Sequence, residues 1–467
     1  MKIRVQLMIE AEGDTPEIVR EVAQWERNGL QPETLGLSLT EAKGLLNQVQ
    51  QTMVTRQAQQ YVAEHRACPR CGSSRTYKGH HSLEVRTLFG QLTLDSPRLY
   101  TCRCGATRDR KSASPLSDLL KERTAPELAY LETKFSALMS YGLTVAILGE
   151  VLPLGRTINV ASVHRQVQRV AERMERALGD ERAMFIDGCQ FDWDQLPPPG
   201  PPVTVGLDGG SVHAKDQPSR TEGWFEVIAG KSLADKGSKC FAFVPRYDRK
   251  PKRRLYEVLQ SQGLQMNQSV VFLSDGGDTV RELPQYLSPE SEHRLDWFHI
   301  TMRLTVMRQL AKGLRSTAGP TTAKDVDRQL GRIKWSLWHG NVFRALQTVD
   351  HLEIDLEIFE DNREQKKRLK ALREFEQYLT LNKAFIPNYS DRYRHGETIS
   401  TAFVESTVNQ VISKRMVKKQ QMGWTPRGAH LLLQVRTRVL NHELRELFAG
   451  WYPGMEPARQ PAVKEAA

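Results

Sequence analysis

The segment QLPPPGPP at 195–202 constrains this chain more than any other stretch. Proline lacks the amide hydrogen and fixes φ, so a run this dense stays extended and can join neither a helix nor a central strand. It divides the 467 residues into two unlike parts. In the first, helical patterns flank a cysteine-rich stretch. In the second, short apolar runs give way to long charged helices. At about 150 residues per domain the length suggests roughly three domains.

Behind the prolines, VTVGLDGG (203–210), WFEVIAG (224–230), KCFAFVP (239–245) and VVFLSD (270–275) read as strands. The last is continuously apolar, as a strand covered on both faces should be. A helical stretch is expected at 252–262, a charge-rich helical pattern from about 297 to 390, and a final helical block over 401–445. The corresponding divisions are a linker at 181–202, the first part of an α/β core at 203–310, an all-helical insertion at 311–395, completion of the core at 396–447 and a disordered tail at 448–467.

Ahead of the prolines, residues 1–63 read as mostly helical. Thr15-Pro16-Glu17 looks like a helix start, and Ser38 with Glu41 gives the pattern of a capping box. Leu39, Leu45, Leu46, Val49 and Met53 then recur at helical spacing, as in a helix packed on its own domain, with an oligomerisation or DNA-contact helix as the alternative.

Residues 64–110 change character. Cys68-Pro-Arg-Cys71-Gly is followed, after 30 residues, by Cys102-Arg-Cys104-Gly. Two tight pairs of soft thiolates around a β-rich insert suit a closed, tetrahedral structural zinc site of zinc-ribbon outline. Glu84–Thr87 and Gln91–Leu94 around Phe89-Gly90 resemble a hairpin. A redox dithiol or two disulfides are the competing readings. Cys189 and Cys240 lack sequence neighbours and read as buried structural thiols.

Within 120–180, LTVAILGEVLP (143–153), a turn at Gly155 and INVASVHRQVQRVAERM (158–174) give helix, turn, helix. Val160, Val163, Val167 and Val170 form one stripe. Ser162, Arg165, Gln166 and Arg169 occupy the other face, with groups suited to phosphates and base edges. By itself that pattern fits two packed helices with a solvated face; beside the zinc ribbon it reads as a DNA-binding helix-turn-helix.

Asp208 and Asp275 each end a buried apolar run and precede two glycines. If the strands are neighbours, ~4.8 Å apart, the two carboxylates can converge on one hard cation, and the glycines leave room for a phosphate backbone. Alone, each aspartate could be a turn residue or helix cap. In TAFVESTVNQVISKRM (401–416), Val404, Val408, Val411 and Ile412 form the apolar stripe and Glu405 borders it, either as a third acid or as an ordinary boundary glutamate. Beyond lies a basic run, Lys414, Arg415, Lys418, Lys419 and Arg427, with Trp424 inside it, readable as a solvated face or a DNA-backbone surface. In LDWFH (295–299), Asp296 and His299 stand at i and i+3, where a hydrogen bond between them could fix the histidine tautomer.

Lysine plus arginine total 66 against 55 acids, a net charge of +11, with pI about 9.3. A polyanionic partner fits this surplus, since each neutralised phosphate releases counterions. Mean hydropathy is −0.50, and no apolar run approaches the ~20 residues needed to span a bilayer. The first residues turn acidic without a small-residue cleavage site, which argues against a secretory signal. A cytoplasmic, non-membrane protein is expected.

CPRCG…CRCG, RTLFG, VTVGLDGG, FLSDGGDTVR, LDWFHI and ESTVNQVISKRMVKKQQMGWTPRGAHLLLQVR together span about 65 to 445. In combination they resemble the DDE transposases of bacterial insertion sequences. The nearest resemblance is to the ISKra-type group, and a more distant one is to eukaryotic Mutator-like transposases. The resemblance implies an α/β ribonuclease-H-like core with a helical insertion before the third acid. It implies Asp208, Asp275 and Glu405 as catalytic residues holding Mg²⁺ (or Mn²⁺), and Asp296 with His299 as an accompanying Asp-x2-His motif. Structural Zn²⁺, double-stranded DNA of transposon ends and target as partner, and a homo-oligomer on DNA are expected with it. The activity would be end cleavage followed by strand transfer. A ribonuclease-H-like nuclease or resolvase that only hydrolyses, or a domesticated zinc-ribbon/helix-turn-helix DNA-binding protein without catalysis, are the alternatives.

Overall fold

The computed structural model describes residues 1–10, 18–102, 104, 112–216, 222–235, 237–277, 287, 290–312, 322–357, 363–417 and 423–457. The chain divides into two compact units. One comprises Met1–Val170 with His442–Ala467, the other Ala171–Asn441.

In the first unit, β1 (Lys2–Ile9) and β2 (Ile18–Glu26) form an antiparallel two-stranded sheet. This corrects the expectation of a helical start. The sequence KIRVQLMI alternates polar and apolar along most of its length, which is a strand period and not a helical one. The expected helix start at Thr15 lies outside the described residues. Helix α1 (Leu39–Glu64) does begin with the expected box: Glu41 N donates to Ser38 Oγ at 3.2 Å and Ser38 N to Glu41 Oε2 at 2.8 Å. Its expected apolar stripe is not its packing face, since Leu39, Leu46 and Met53 are exposed. The helix packs through Val54, Ala58, Tyr61 and Val62 on Leu83, Val85, Leu92 and Leu94. Those leucines and valines belong to a hairpin of β3 (Tyr77–Thr87) and β4 (Gly90–Tyr100), with Thr87 opposite Gly90, and β5 (Ser112–Ala113) adds a third strand. The hairpin expected around Phe89-Gly90 is therefore present and longer than its sequence signal.

Helices α2 (Pro115–Leu119), α3 (Pro126–Leu138) and α4 (Tyr141–Val151) follow, then a 3-10 turn at Gly155–Thr157 and α5 (Val160–Ala177). Along α5, Val163, Gln166, Val167 and Val170 are buried at i, i+3, i+4 and i+7. The C-terminal helix Leu444–Trp451 returns to this unit, where Arg445 grips Glu127 of α3 through two bonds of 2.6 and 2.7 Å.

The second unit begins within α5, at Ala171, continues through the short α6 (Gln190–Asp194) and is built on β6 (Val203–His213), β7 (Trp224–Ala234), β8 (Gly237–Phe243), β9 (Val270–Ser274) and β10 (Ser291–Leu295), with α7 (Pro251–Ser261) between β8 and β9. The sheet order is β10-β9-β6-β7-β8. β6, β7 and β8 run antiparallel in turn, whereas β9 lies parallel to β6 and β10 parallel to β9. Val205, Leu207, Phe241, Phe243, Leu255, Leu259 and Phe272 fill the core between sheet and α7. The four expected strands are present. The polar edge strand β10, Ser-Glu-His-Arg-Leu, carries no apolar signal in the sequence and is an addition to them.

A separate apolar core is formed by α8 (Trp297–Ala311), α9 (Ala323–Trp338), α10 (Val342–Glu357), α11 (Arg363–Asn382) and α12 (Tyr389–Arg394). It fills the charge-rich helical span expected from about 297 to 390, and its first helix, α8, begins ahead of the 311–395 expected for an insertion. The chain then returns through α13 (Ala402–Val408), a nine-residue π-helix at Asn409–Val417 and α14 (Pro426–Leu440). The stretch 401–416 is thus not the one regular helix its periodicity suggests. Among the described residues no helix is long and apolar enough to cross a membrane.

Candidate active site

Asp208 lies in β6 and Asp275 follows the last residue of β9. The two strands pair in parallel from Val203 opposite Val270 to Gly206 opposite Leu273, a constant offset of 67 residues. Asp208 and Asp275 continue that offset, so they stand level on adjacent strands; β9 ends there, whereas β6 runs on through Gly209 and Gly210 to His213, so Asp208 lies within its strand and does not end it as expected. β10 extends the row, for Leu295 is opposite Ser274 and Asp296 comes next.

The glycines around these acids have distinct tasks. Gly209 N donates to Asp208 Oδ1 at 2.8 Å, and Gly277 N to Asp275 Oδ1 at 3.0 Å. Gly276 adopts φ +85°, and a Cβ there would collide with Asn382. Gly206 and Gly210 keep the β6 surface flat. A Cβ on Gly206 would fall 2.7 Å from Phe403 Cζ, and one on Gly210 2.9 Å from Ile412 Cδ1. Helix α13 consequently lies close on β6 and β7, and this brings exposed Glu405 toward the acid end of the sheet.

Electrostatics tie the acids together. Burial raises the proton affinity of the Asp208 carboxyl above its ordinary value. His299 opposes that shift, and the negative charges of Asp275 and Glu405 add to it. Hard oxygen donors crowded in this way suit a divalent cation, which relieves the same repulsion. The three carboxylates are nevertheless looser than a closed metal cage, since they are not among the groups of described residues whose ligand atoms all approach within 4.8 Å.

Asp296 is fully buried. It caps α8 by accepting from Phe298 N at 2.9 Å, and it accepts from Thr401 N at 3.0 Å and from the Thr401 hydroxyl. His299 Nε2 is 3.6 Å from Asp296 Oδ2, too far for the hydrogen bond expected between them. Asp296 instead fastens the segment that leads into the Glu405 helix.

In the first unit the four sulfurs of Cys68, Cys71, Cys102 and Cys104 all lie within 4.8 Å of one another. Cys68 and Cys104 are 3.6 Å apart, Cys71 and Cys102 3.4 Å. Those separations exceed the ~2.05 Å of a disulfide and approach the edge of a zinc–thiolate tetrahedron, about 3.8 Å for Zn–S bonds near 2.3 Å. Gly72, at φ +71°, closes the first turn by donating to Cys68 O at 2.9 Å. The hydroxyl and backbone amide of Ser73 pull the Cys71 thiol down to about 6, while the neighbouring sulfurs push the Cys104 thiol up to about 12, so the zinc reading rests on the sulfur geometry. The cluster is compatible with zinc. Of the other cysteines, Cys189 is exposed, contrary to expectation, because it lies at the start of α6. Cys240 is half-buried, and its thiol donates to Asn441 Oδ1 at 3.2 Å.

Several expected DNA contacts are not at the surface. Gln166 is buried because it shares the helix face of Val163 and Val170. Arg415 is fully buried, with its guanidinium 5.4 Å from the Trp424 ring. Trp424 is also buried: its Nε1 donates to Met416 O at 3.3 Å and its backbone pairs with His213 and Lys215. Ser162 is engaged with Asn159. Arg165, Arg169, Lys414 and Arg427 remain accessible to solvent, Arg427 in an ion pair with Glu172. Lys418 and Lys419 lie outside the described residues.

A polar cluster escapes any reading of the sequence alone. Glu175 of α5, Asp248 after β8 and His430 of α14 place ligand atoms within 4.8 Å of one another. A metal does not belong there, because buried Arg254 of α7 already occupies the cluster. It makes two 3.0 Å bonds to Glu175, bonds of 2.9 and 3.2 Å to Asp248, and one of 2.7 Å to Gln434. These residues come from three distant stretches, so no local motif announces them.

Neither a known family model nor a curated protein matches the chain.

Proposed function

We propose that this protein is a metal-dependent DNA phosphoryl transferase of the transposase type, cutting transposon-end DNA and joining it to target DNA. The observation that carries the reading is the level placement of Asp208 and Asp275 on adjacent parallel strands, with Glu405 brought toward them by a helix seated on Gly206 and Gly210. A five-stranded mixed sheet, interrupted by a helical block before Glu405, agrees with the ribonuclease-H-like core that the resemblance implies.

Asp208, Asp275 and Glu405 are the residues that would hold Mg²⁺ or Mn²⁺, whose charge would offset that developing on the attacking and leaving oxygens of an in-line displacement. The chain's own contribution is position. Gly209 and Gly277 fix one oxygen of each aspartate. Asp296 holds the approach to α13 through Thr401. The flat glycine surface sets the distance of that helix from the sheet. Little covalent chemistry is required of the protein, since positioning and charge neutralisation carry such a reaction. Arg165, Arg169, Lys414 and Arg427 supply phosphate contacts. Cys68, Cys71, Cys102 and Cys104 hold a structural zinc.

The test uses duplex DNA carrying the ends of the genetic element that encodes the chain, in Mg²⁺. Wild type yields nicked and joined products. Asp275→Asn retains binding in a gel-shift assay and yields neither. Cleavage by Asp275→Asn refutes the site, and nicking by wild type without joining reduces the activity to a nuclease.

A further inference from the structure

A two-stranded sheet needs further support in water; β2 lies against α1, whereas β1 presents one edge that pairs with no other strand among the described residues. Its side chains alternate strictly: Lys2, Arg4, Gln6 and Met8 are exposed, while Ile3, Val5, Leu7 and Ile9 are half-buried. The pairing with β2 shifts register between Val5 and Gln6, with the extra residue, Val22, on β2, so β1 itself keeps its alternation; an open edge of this kind is a template for strand addition.

We propose that the occupant of this edge is β1 of a second copy of the chain, forming a continuous four-stranded sheet β2-β1-β1-β2 about a two-fold axis. Such an axis makes the two β1 strands antiparallel and the contact isologous. The sequence selects one register. With Gln6 on the axis, Ile3 faces the partner's Ile9 and Val5 the partner's Leu7, so every apolar residue of the half-buried face meets another. On the opposite face Arg4 lies beside the partner's Met8, and Lys2 faces the partner's Glu10, giving an ion pair at each end. Glu10 is exposed, one residue beyond the strand. A lysine on an edge strand ordinarily discourages pairing. Here the acid at the other end of the same strand answers it, which favours a self-pair in this register over pairing with an arbitrary strand. Lys2 also lies 3.8 Å from Glu26 of its own hairpin. That pair is exposed, and Lys2 can share its charge between the two acids. The inference is independent of the DNA reading above.

The test is sedimentation velocity on the full-length protein across a concentration series at low salt. Wild type associates to a dimer. Lys2→Glu and Glu10→Lys each convert two attractive cross-dimer contacts into two repulsive ones. With surface charge pairs contributing up to ~1 kcal/mol each, each variant should weaken the dimer by about tenfold or more, which corresponds to ~1.4 kcal/mol. An equimolar mixture of the two single variants is decisive. One variant then carries an acid at both positions and the other a lysine at both. Their heterodimer regains both ion pairs and wild-type affinity, an outcome that misfolding of either variant does not imitate. A wild type that stays monomeric throughout, single variants that dimerise as well as wild type, or a mixture that fails to restore association each overturns the proposal.

Discussion

Asp296 accepts a 3.0 Å hydrogen bond from the backbone N–H of Thr401, 105 residues further along the chain. The same fully buried carboxylate takes the Thr401 hydroxyl and caps α8, so one side chain joins the end of the sheet, the start of the helical block and the approach to Glu405. Replacing Asp296 by Ala leaves buried donors unsatisfied, each costing about 1–3 kcal/mol. The variant should lose several kcal/mol in urea unfolding. Thr401→Val, which removes only the hydroxyl, should lose less, about 1.5–3 kcal/mol for one bond to a charged group. Equal losses from both would show that the backbone contact adds nothing.

Gly206 is the floor on which α13 rests. Gly206→Ala inserts a methyl group against Val404 and Phe403, and overpacking of this kind costs about 1–3 kcal/mol. The helix must shift outward and take Glu405 with it. Under the proposed function, Mg²⁺-dependent cleavage should fall more than DNA binding does. A variant that cleaves normally would show that the distance of α13 from the sheet is not critical.

The cysteine cluster predicts one tightly held zinc per chain. Elemental analysis of purified protein should find it, and Cys68→Ser or Cys102→Ser should remove it. Because binding free energy at a structural zinc site is folding free energy, the hairpin β3–β4 should become protease-sensitive in those variants. Zinc-free protein with an intact, protected hairpin would contradict a structural role.

Under the proposed function, Asp208 would give the Mg²⁺ site a readable pH signature. Its carboxyl binds a proton more strongly when folded than the roughly 3.9 of an unfolded aspartate. Folding therefore takes up a proton there, and stability is lost as pH rises from below the unfolded value through the folded one. In metal-free protein at pH 7, Asp208→Asn should melt higher than wild type, with the gap closing toward pH 4. Mg²⁺ should raise the wild-type melting temperature, by the equivalent of about 2.7 kcal/mol at a hundredfold excess over Kd, and leave the variant nearly unchanged. A destabilised Asp208→Asn would remove the case for charge crowding at this position.

What the sequence discloses and what it conceals follow from the range of the interactions involved. Val270–Ser274 announces a central strand because all five residues are buried. The twin Asp-Gly-Gly motifs are visible because each aspartate is fixed by a closely following amide, although only the one at Asp275 ends its strand. The cysteine pairs are visible because metal ligands cluster in short turns. β10 stays hidden, since an edge strand can be polar. The β1–β2 hairpin passes for helix when only the later helical stripe of that region is weighed, although a period of two is plain in KIRVQLMI. Residue type alone puts Gln166, Arg415 and Trp424 on the surface, whereas tertiary packing buries all three. Adjacency suggests His299 as the partner of Asp296, while the fold supplies Thr401. The Arg254 cluster leaves no trace, because its members meet only after α5, α7 and α14 have assembled.

That cluster sets the acid limit of the second unit. Burial opposes ionisation of Glu175, but the His430 contact and the Arg254 guanidinium outweigh it and hold the carboxyl down to about 2, against about 4.3 for an unfolded glutamate. The resulting stability is fully present above the unfolded value and disappears as pH falls from about 4 toward 2. Glu175→Gln should flatten the stability profile across that window. Arg254→Met is more severe. It strips the counter-charge from Glu175 and from buried Asp248 at once, and breaking a buried ionic cluster by removing one member costs about 3–5 kcal/mol. If the cluster instead held a metal, Arg254→Met would free three ligands and a divalent cation would rescue it. Unfolding curves of the variant with and without Zn²⁺ or Mg²⁺ should coincide, and rescue by either ion would reverse the assignment of Arg254 as the resident charge.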